Sequence, residues 1–248
     1  MKYKLTNECI EFDGVTLFRI QALKTFSFVN EGDLGGFVES EENLSQTYTC
    51  WIAGNAKVYG DAKLFQGALV RDNAVVYDNA KIFHSATICD NAVIYGAAKV
   101  FHNAIVKNMA VICDNASVYG DATIYDNALI CDNTKICDTA KIYGAATIYD
   151  NAKVYGNALV YGKASIYENA KIYGAATIND NAKVYGYATL TGCTLVNYST
   201  EIYAEIPKRS DEIEIPERSD EIEIPKRKKK EPPRIVDPRE VIPGAYDL

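Results

Sequence analysis

The fold is decided by the stretch ATIYDNAKVYGNALVYGKASIYENAKIYGAATINDNAKVYG, residues 146–186, in which a phrase of six residues recurs with small changes. Each hexad begins with a small residue, usually alanine, has Val or Ile two positions later, and generally closes with Gly, Asp or Asn. Side chains alternate along a strand, so the alanine and the aliphatic residue share its inner side. Gly, Asp and Asn tolerate a sharp corner with positive φ. Each hexad therefore predicts a short strand followed by a corner.

The same register extends far beyond this stretch. It runs unbroken from Ala56 to Ser199, which makes 24 hexads, and CWIAGN from Cys50 adds one more upstream. A single hexad cannot bury its aliphatic residue alone, so successive units must coil and stack on one another. The predicted fold class is all-β, a single-stranded parallel β-helix.

This pattern resembles that of the hexapeptide-repeat proteins, whose left-handed parallel β-helix carries three hexads on each triangular coil. The resemblance implies 18 residues per coil and about eight coils over the 24 hexads. The left hand is implied by the resemblance alone, because the general preference for right-handed parallel crossovers favours the opposite.

Residues 1–49 are predicted to form an N-terminal β cap on the β-helix, which is predicted to span residues 50–199. The stretch IEFDGVTLF has Asp13 and Gly14 where a hairpin turn needs them. GDLGGFVESEENLSQ, residues 32–46, is similar to the opening of a group of bacterial and phage-encoded hexapeptide-repeat proteins. A cap would keep the unpaired edge of the first coil from other chains.

Residues 200–248 are predicted to be a charged tail. EIPKRSDEI, EIPERSDEI and EIPKRKKKE begin at Glu205, Glu214 and Glu223. Such a segment buries too little apolar surface to fold alone, which favours a flexible tail. The alternative is an arm that binds a protein partner, with Ile206, Ile215 and Ile224 as anchors and the basic run of residues 226–230 facing an acidic surface.

Composition limits the environment and the partners. The chain has neither a long apolar run nor a signal-peptide pattern, and its seven cysteines lack paired spacing, so we expect a cytoplasmic protein without membrane association. The formal net charge of −7 makes nucleic acid an unfavoured partner.

An acyltransferase is the alternative function, because many hexapeptide-repeat proteins transfer acyl groups from a coenzyme A thioester with a histidine base. His84 and His102 are 18 residues apart and should stack on one corner. Either is the candidate base of that alternative, and the pair is a candidate weak metal site. No insertion interrupts the hexads and neither histidine has an acidic residue in its hexad, so we predict no catalytic residue and no cofactor.

One outward face predicts a homo-oligomer, a dimer or the trimer familiar from this family. Its two columns are apolar over four successive coils and contain Val75, Val93, Val111 and Leu129 beside Tyr77, Tyr95, Cys113 and Cys131. A contiguous apolar patch of this kind marks an interface, whereas the ordinary preference of strands for β-branched residues is the alternative explanation.

One corner carries a carboxylate in each of four successive coils, at Asp114, Asp132, Asp150 and Glu168. Carboxylates repeated about every 5 Å repel one another and attract a cation. The favoured interpretation is nevertheless turn chemistry beside a ladder of asparagines, so no metal is predicted. Together the patterns predict a non-catalytic β-helical scaffold or binding module that presents rigid faces to a protein partner.

Overall fold

The computed structural model describes residues 1–206 and confirms the predicted all-β fold, a stack of parallel strands wound into a solenoid. The predicted tail lies outside the described residues from position 207 onward, including the basic run. Each turn contributes one strand to each of three sheets, which are called the first, second and third faces. The third face has nine strands, so the solenoid has about nine turns.

The first face continues the sheet of the N-terminal cap. Its solenoid strands are β5 (Lys57–Val58), β8 (Val75–Val76), β11 (Val93–Ile94), β14 (Val111–Ile112), β17 (Leu129–Ile130), β20 (Thr147–Ile148), β23 (Ser165–Ile166), β26 (Lys183–Gly186) and β29 (Glu201–Ala204).

The second face has eight strands, which are β6 (Lys63–Leu64), β9 (Lys81–Ile82), β12 (Lys99–Val100), β15 (Ser117–Val118), β18 (Lys135–Ile136), β21 (Lys153–Val154), β24 (Lys171–Ile172) and β27 (Thr189–Leu190). The third face consists of β4 (Trp51–Ile52), β7 (Leu69–Val70), β10 (Thr87–Ile88), β13 (Ile105–Val106), β16 (Thr123–Ile124), β19 (Lys141–Ile142), β22 (Leu159–Val160), β25 (Thr177–Ile178) and β28 (Leu195–Val196).

Parallel pairing keeps every residue in register with the residue 18 positions later. Lys57 pairs with Val75, and Val75 with Val93. The backbone hydrogen bonds fit this register: Lys57, which pairs with Val75, donates its N–H to O of the preceding residue, Ala74, at 2.9 Å. The pairing continues through β29, past Ser199 where the hexad register ends. Identical positions of successive hexads therefore form straight columns along the solenoid.

The core consists of the two inner columns of each face. The alanines and the Val, Ile or Leu two positions later are almost all fully buried. Thr134 takes the place of an alanine, and its hydroxyl donates to Cys131 O at 2.5 Å, which satisfies the buried oxygen. The corners have positive φ, as at Asp114 (54°) and His84 (55°), which explains the Gly, Asp and Asn that the sequence places there.

The N-terminal cap is built from β1 (Tyr3–Phe12), β2 (Val15–Ala22) and β3 (Leu34–Val38). The predicted hairpin is present, because β1 and β2 pair antiparallel around Asp13 and Gly14. β3 pairs with β2 and, in parallel, with β5, so the cap occupies the sheet edge of the first turn. A 3-10 turn at Glu41–Asn43 follows it.

Asn43 fastens the cap to the solenoid. Its amide donates to Gly60 O at 2.9 Å and Ala62 O at 3.0 Å, and its carbonyl oxygen accepts the N–H of Ser40. Leu44 is fully buried and bridges to Leu64 in the first strand of the second face. In the described part of the chain, no helix is long and apolar enough to cross a membrane.

Candidate functional site

The first face brings together the eight residues that the sequence predicts as an oligomer interface. They belong to one apolar cluster, in which Val75, Val93, Val111 and Leu129 form one outward column. The second column contains Tyr59, Tyr77, Tyr95, Cys113, Cys131, Tyr149 and Tyr167, and it is called the tyrosine column. Its rings stack closely, with centroids 5.1 Å apart for Tyr77 and Tyr95 and 4.9 Å apart for Tyr149 and Tyr167.

This face is far less open than the sequence predicts. Six of the eight side chains are buried within a single chain, and Tyr77 and Tyr95 are partly buried. Val93 is 3% exposed, whereas Ile105, which has the corresponding outward place on the third face, is 38% exposed. The assignment of these residues to an interface stays a prediction, with less free apolar area to support it.

The hairpin tip covers the beginning of the two columns. Phe12 packs edge-on against Tyr59 at 6.0 Å, and Lys57 Nζ lies 4.7 Å from the Phe12 ring centroid. The Tyr59 hydroxyl donates to the Asp13 carboxylate at 3.2 Å. Burial raises the pKa of the phenols in this column, and that of Tyr167 rises to about 12. These phenols are therefore neutral at physiological pH.

Two cysteines interrupt the tyrosine column on consecutive turns. Cys113 Sγ, Cys131 Sγ and a carboxylate oxygen of Asp114 all lie within 4.8 Å of one another. A hydrogen bond with Cys113 and burial raise the pKa of Cys131. A second group of this kind is formed by Asp72, Cys89 and Asp90. Neither group was predicted from the sequence, although steps of 18 residues from each Cys-Asp pair place the members of each group on neighbouring turns.

The acidic corner runs along one edge of the first face. The carboxylate of Asp114 accepts the N–H of Asp132 at 3.2 Å, and that of Asp132 accepts the N–H of Asp150 at 3.0 Å. Asp150 in turn accepts the N–H of Glu168 at 3.1 Å. The neighbouring asparagines form an amide ladder, with Asn115 donating to Asn133. These bonds are the predicted turn chemistry. Binding of a cation along the whole corner is the alternative that the sequence left open, and these bonds do not test it.

The structure confirms that the two histidines stack. Their ring centroids are 4.8 Å apart, and both rings lie beside Phe101. His84 Nδ1 is buried without a hydrogen-bond partner, while His102 is exposed. Among the described residues, no carboxylate forms a hydrogen bond or ion pair with either imidazole. The pair therefore lacks the orienting acid that usually accompanies a histidine base.

The second face presents the most regular open surface. Lys63, Lys81 and Lys99 are exposed in one column, and a shallow groove runs along them. Beside them Phe65, Phe83, Phe101 and Tyr119 stack at 4.9, 4.7 and 4.8 Å. Lysine stems beside aromatic rings shield apolar area and keep the ammonium groups in water. The arrangement is a rigid ladder with a positive edge.

The stacked parallel strands, the corner at each hexad and the straight columns define a β-solenoid repeat protein. The family model described as the YdcK Beta solenoid repeat matches residues 152–168, which contain β21, β22 and β23 in the C-terminal half of the stack. No curated protein matches the chain.

Proposed function

We propose that the protein is a non-catalytic β-solenoid scaffold that presents rigid faces to a protein partner. The observation that carries this proposal is the unbroken stack: two-residue strands and tight corners follow one another from Trp51 to Lys183 with no insertion over any face. Each turn is hydrogen-bonded to the turns next to it, so side chains on the faces keep a fixed spacing. Preordered side chains lose little entropy on binding.

The second face is the surface best suited to such a partner. Its exposed lysines and its aromatic ladder combine charge with apolar area that water reaches. A partner with acidic side chains along an extended segment would match both features. The predicted arm in the tail is a further route to a partner, and its anchors Ile215 and Ile224 lie outside the described residues.

The competing function, acyl transfer from a coenzyme A thioester with His84 or His102 as base, is tested by calorimetry. We expect no heat of binding when coenzyme A is titrated into the full chain at micromolar concentrations, because the histidine pair lacks an acidic partner and an enclosed site among the described residues. Micromolar binding that His102→Ala abolishes, and that Lys153→Ala on the same face retains, would contradict the scaffold proposal.

The assembly that we propose is a homo-oligomer, a dimer or trimer, formed through the first face. Light scattering of the full chain should give a multiple of the 27.4 kDa chain mass. Tyr77→Lys, at a partly buried position of that face, should shift the mass toward the monomer, whereas Lys81→Glu on the second face should leave it unchanged. A wild-type chain that is monomeric at high micromolar concentration would exclude this assembly.

A further inference from the structure

The tyrosine column has a gap of two turns. Stacked rings lead up to Tyr95 and resume at Tyr149, and Cys113 and Cys131 occupy the two turns between them. Turns repeat about every 4.8 Å, so two small side chains replace two rings between Tyr95 and Tyr149. The gap therefore concentrates two thiols at neighbouring heights on one side of the solenoid.

Cys113 has Tyr95 as its neighbour on one side of the column and Cys131 on the other. The Cys131 thiol donates to Ile148 O, and the sulfur and oxygen atoms are 3.9 Å apart. Both cysteines are buried, whereas Asp114 is exposed at the corner beside them. The cluster thus has two sulfur atoms directed into a dry part of the face and a carboxylate at its solvent edge. A small ion can enter from that edge.

We propose that Cys113, Cys131 and Asp114 form a binding site for a thiophilic divalent cation, with Zn²⁺ as its ion. Zinc binds thiolates at about 2.3 Å and carboxylates at about 2.1 Å, so two tetrahedral sulfur ligands are about 3.8 Å apart. The three ligand atoms lie within 4.8 Å of one another, so small side-chain rotations bring them to that spacing. A water molecule at the open corner completes a tetrahedral set.

Charge around the cluster favours a cation. The carboxylates of Asp132 and Asp114 interact electrostatically with Cys131. Together with Asp150 and Glu168 they give this edge a negative potential. Zn²⁺ binds cysteine as the thiolate, so each thiol loses its proton to solvent when its sulfur coordinates the ion.

A hydrogen bond from a residue outside the three ligands also holds Asp114 in place. The N–H of Asp132 donates to the Asp114 carboxylate at 3.2 Å, which leaves the other carboxylate oxygen for the ion. Hydrogen bonds of this outer kind orient metal ligands and tune their affinity. The group of Asp72, Cys89 and Asp90 has a single sulfur and so fits Zn²⁺ less well.

The test uses the full chain, reduced and stripped of metal with a chelator. Titration with Co²⁺ alone should produce a thiolate-to-cobalt charge-transfer band at one equivalent, and Zn²⁺ should displace it. Cys113→Ser or Cys131→Ser should weaken binding by more than about 100-fold and Asp114→Asn by at least about 10-fold, because loss of a direct ligand should cost at least as much as the roughly 10–100-fold seen when outer partners are lost. Cys137→Ser is the matched control, because Cys137-Asp138 is the same dipeptide on the second face without a second cysteine in register.

The wild-type spectrum tests the site without any substitution. Reduced wild-type protein that gives no charge-transfer band with Co²⁺ and takes up no Zn²⁺ against a competing chromophoric chelator would overturn the proposal. Uptake that Cys113→Ser and Cys131→Ser leave unchanged, or that Cys89→Ser alone removes, would also overturn it, since the ion would then be bound elsewhere.

Discussion

Replacement of Ile142 by aspartate is expected to lower the melting temperature by about 10 °C or more. Ile142 in β19 is fully buried and stacks in register between Ile124 and Val160. The change removes a buried aliphatic side chain and puts a carboxylate into an apolar column, which costs about 4 kcal/mol or more. In a chain of this size each kcal/mol lowers the melting temperature by about 2–4 °C.

The matched control for this variant is Lys141→Asp in the same strand. Lys141 points outward and is exposed, so the melting temperature should change by no more than about 2 °C. Because each turn contacts only its neighbours, hydrogen exchange in Ile142→Asp should accelerate first in β16, β19 and β22. Equal melting curves for the two variants would mean that the alternation inferred from the hexads does not define the core.

The sequence period was sufficient to predict the inner columns and the corners. The alternation within each hexad identifies the buried positions from the sequence alone. Ile142 is buried and its neighbour Lys141 is exposed, as the alternation predicts. The positive φ at Asp114 and His84 follows from the same register, since a six-residue unit must turn at a fixed place. Stacking of His84 on His102 was predictable for this reason as well.

Burial of the first face was not predictable from the period. The alternation places Val93 and Ile105 alike on the outside, yet one is buried and the other exposed. The alternation treats the two positions alike, so it does not tell which outward side chains of a face are covered. The contact of the β1–β2 hairpin tip with Tyr59 is likewise not part of the hexad pattern. The register places Cys113 and Cys131 on consecutive turns beside Asp114, but the approach of their ligand atoms to within 4.8 Å of one another depends on side-chain orientation, which the register does not supply.

A second large loss of stability is expected from a substitution at Gly36 of the cap. A Cβ at this position would lie 2.4 Å from Ala56 O and 2.5 Å from Ile52 Cγ2. The same Ala56 oxygen accepts the N–H of Phe37 at 2.9 Å, a bond that ties β3 to the first turn. Gly36→Ala must therefore displace β3 from the solenoid. We expect the free energy of unfolding to fall by about 3 kcal/mol or more, which is at the upper end of the range for an overpacked site.

Trp51 reports this displacement directly, because it is the single tryptophan of the chain and is 2% exposed beneath the cap. In Gly36→Ala its emission should shift to the red, and light scattering should rise with time as the uncovered edge of the first turn pairs with other chains. Gly14→Asn is the control: Gly14 has φ 74° with nothing within 4 Å of an added Cβ, and asparagine tolerates that conformation. If the emission wavelength and the melting temperature of both variants equalled those of the wild-type chain, β3 would not need glycine to close the solenoid.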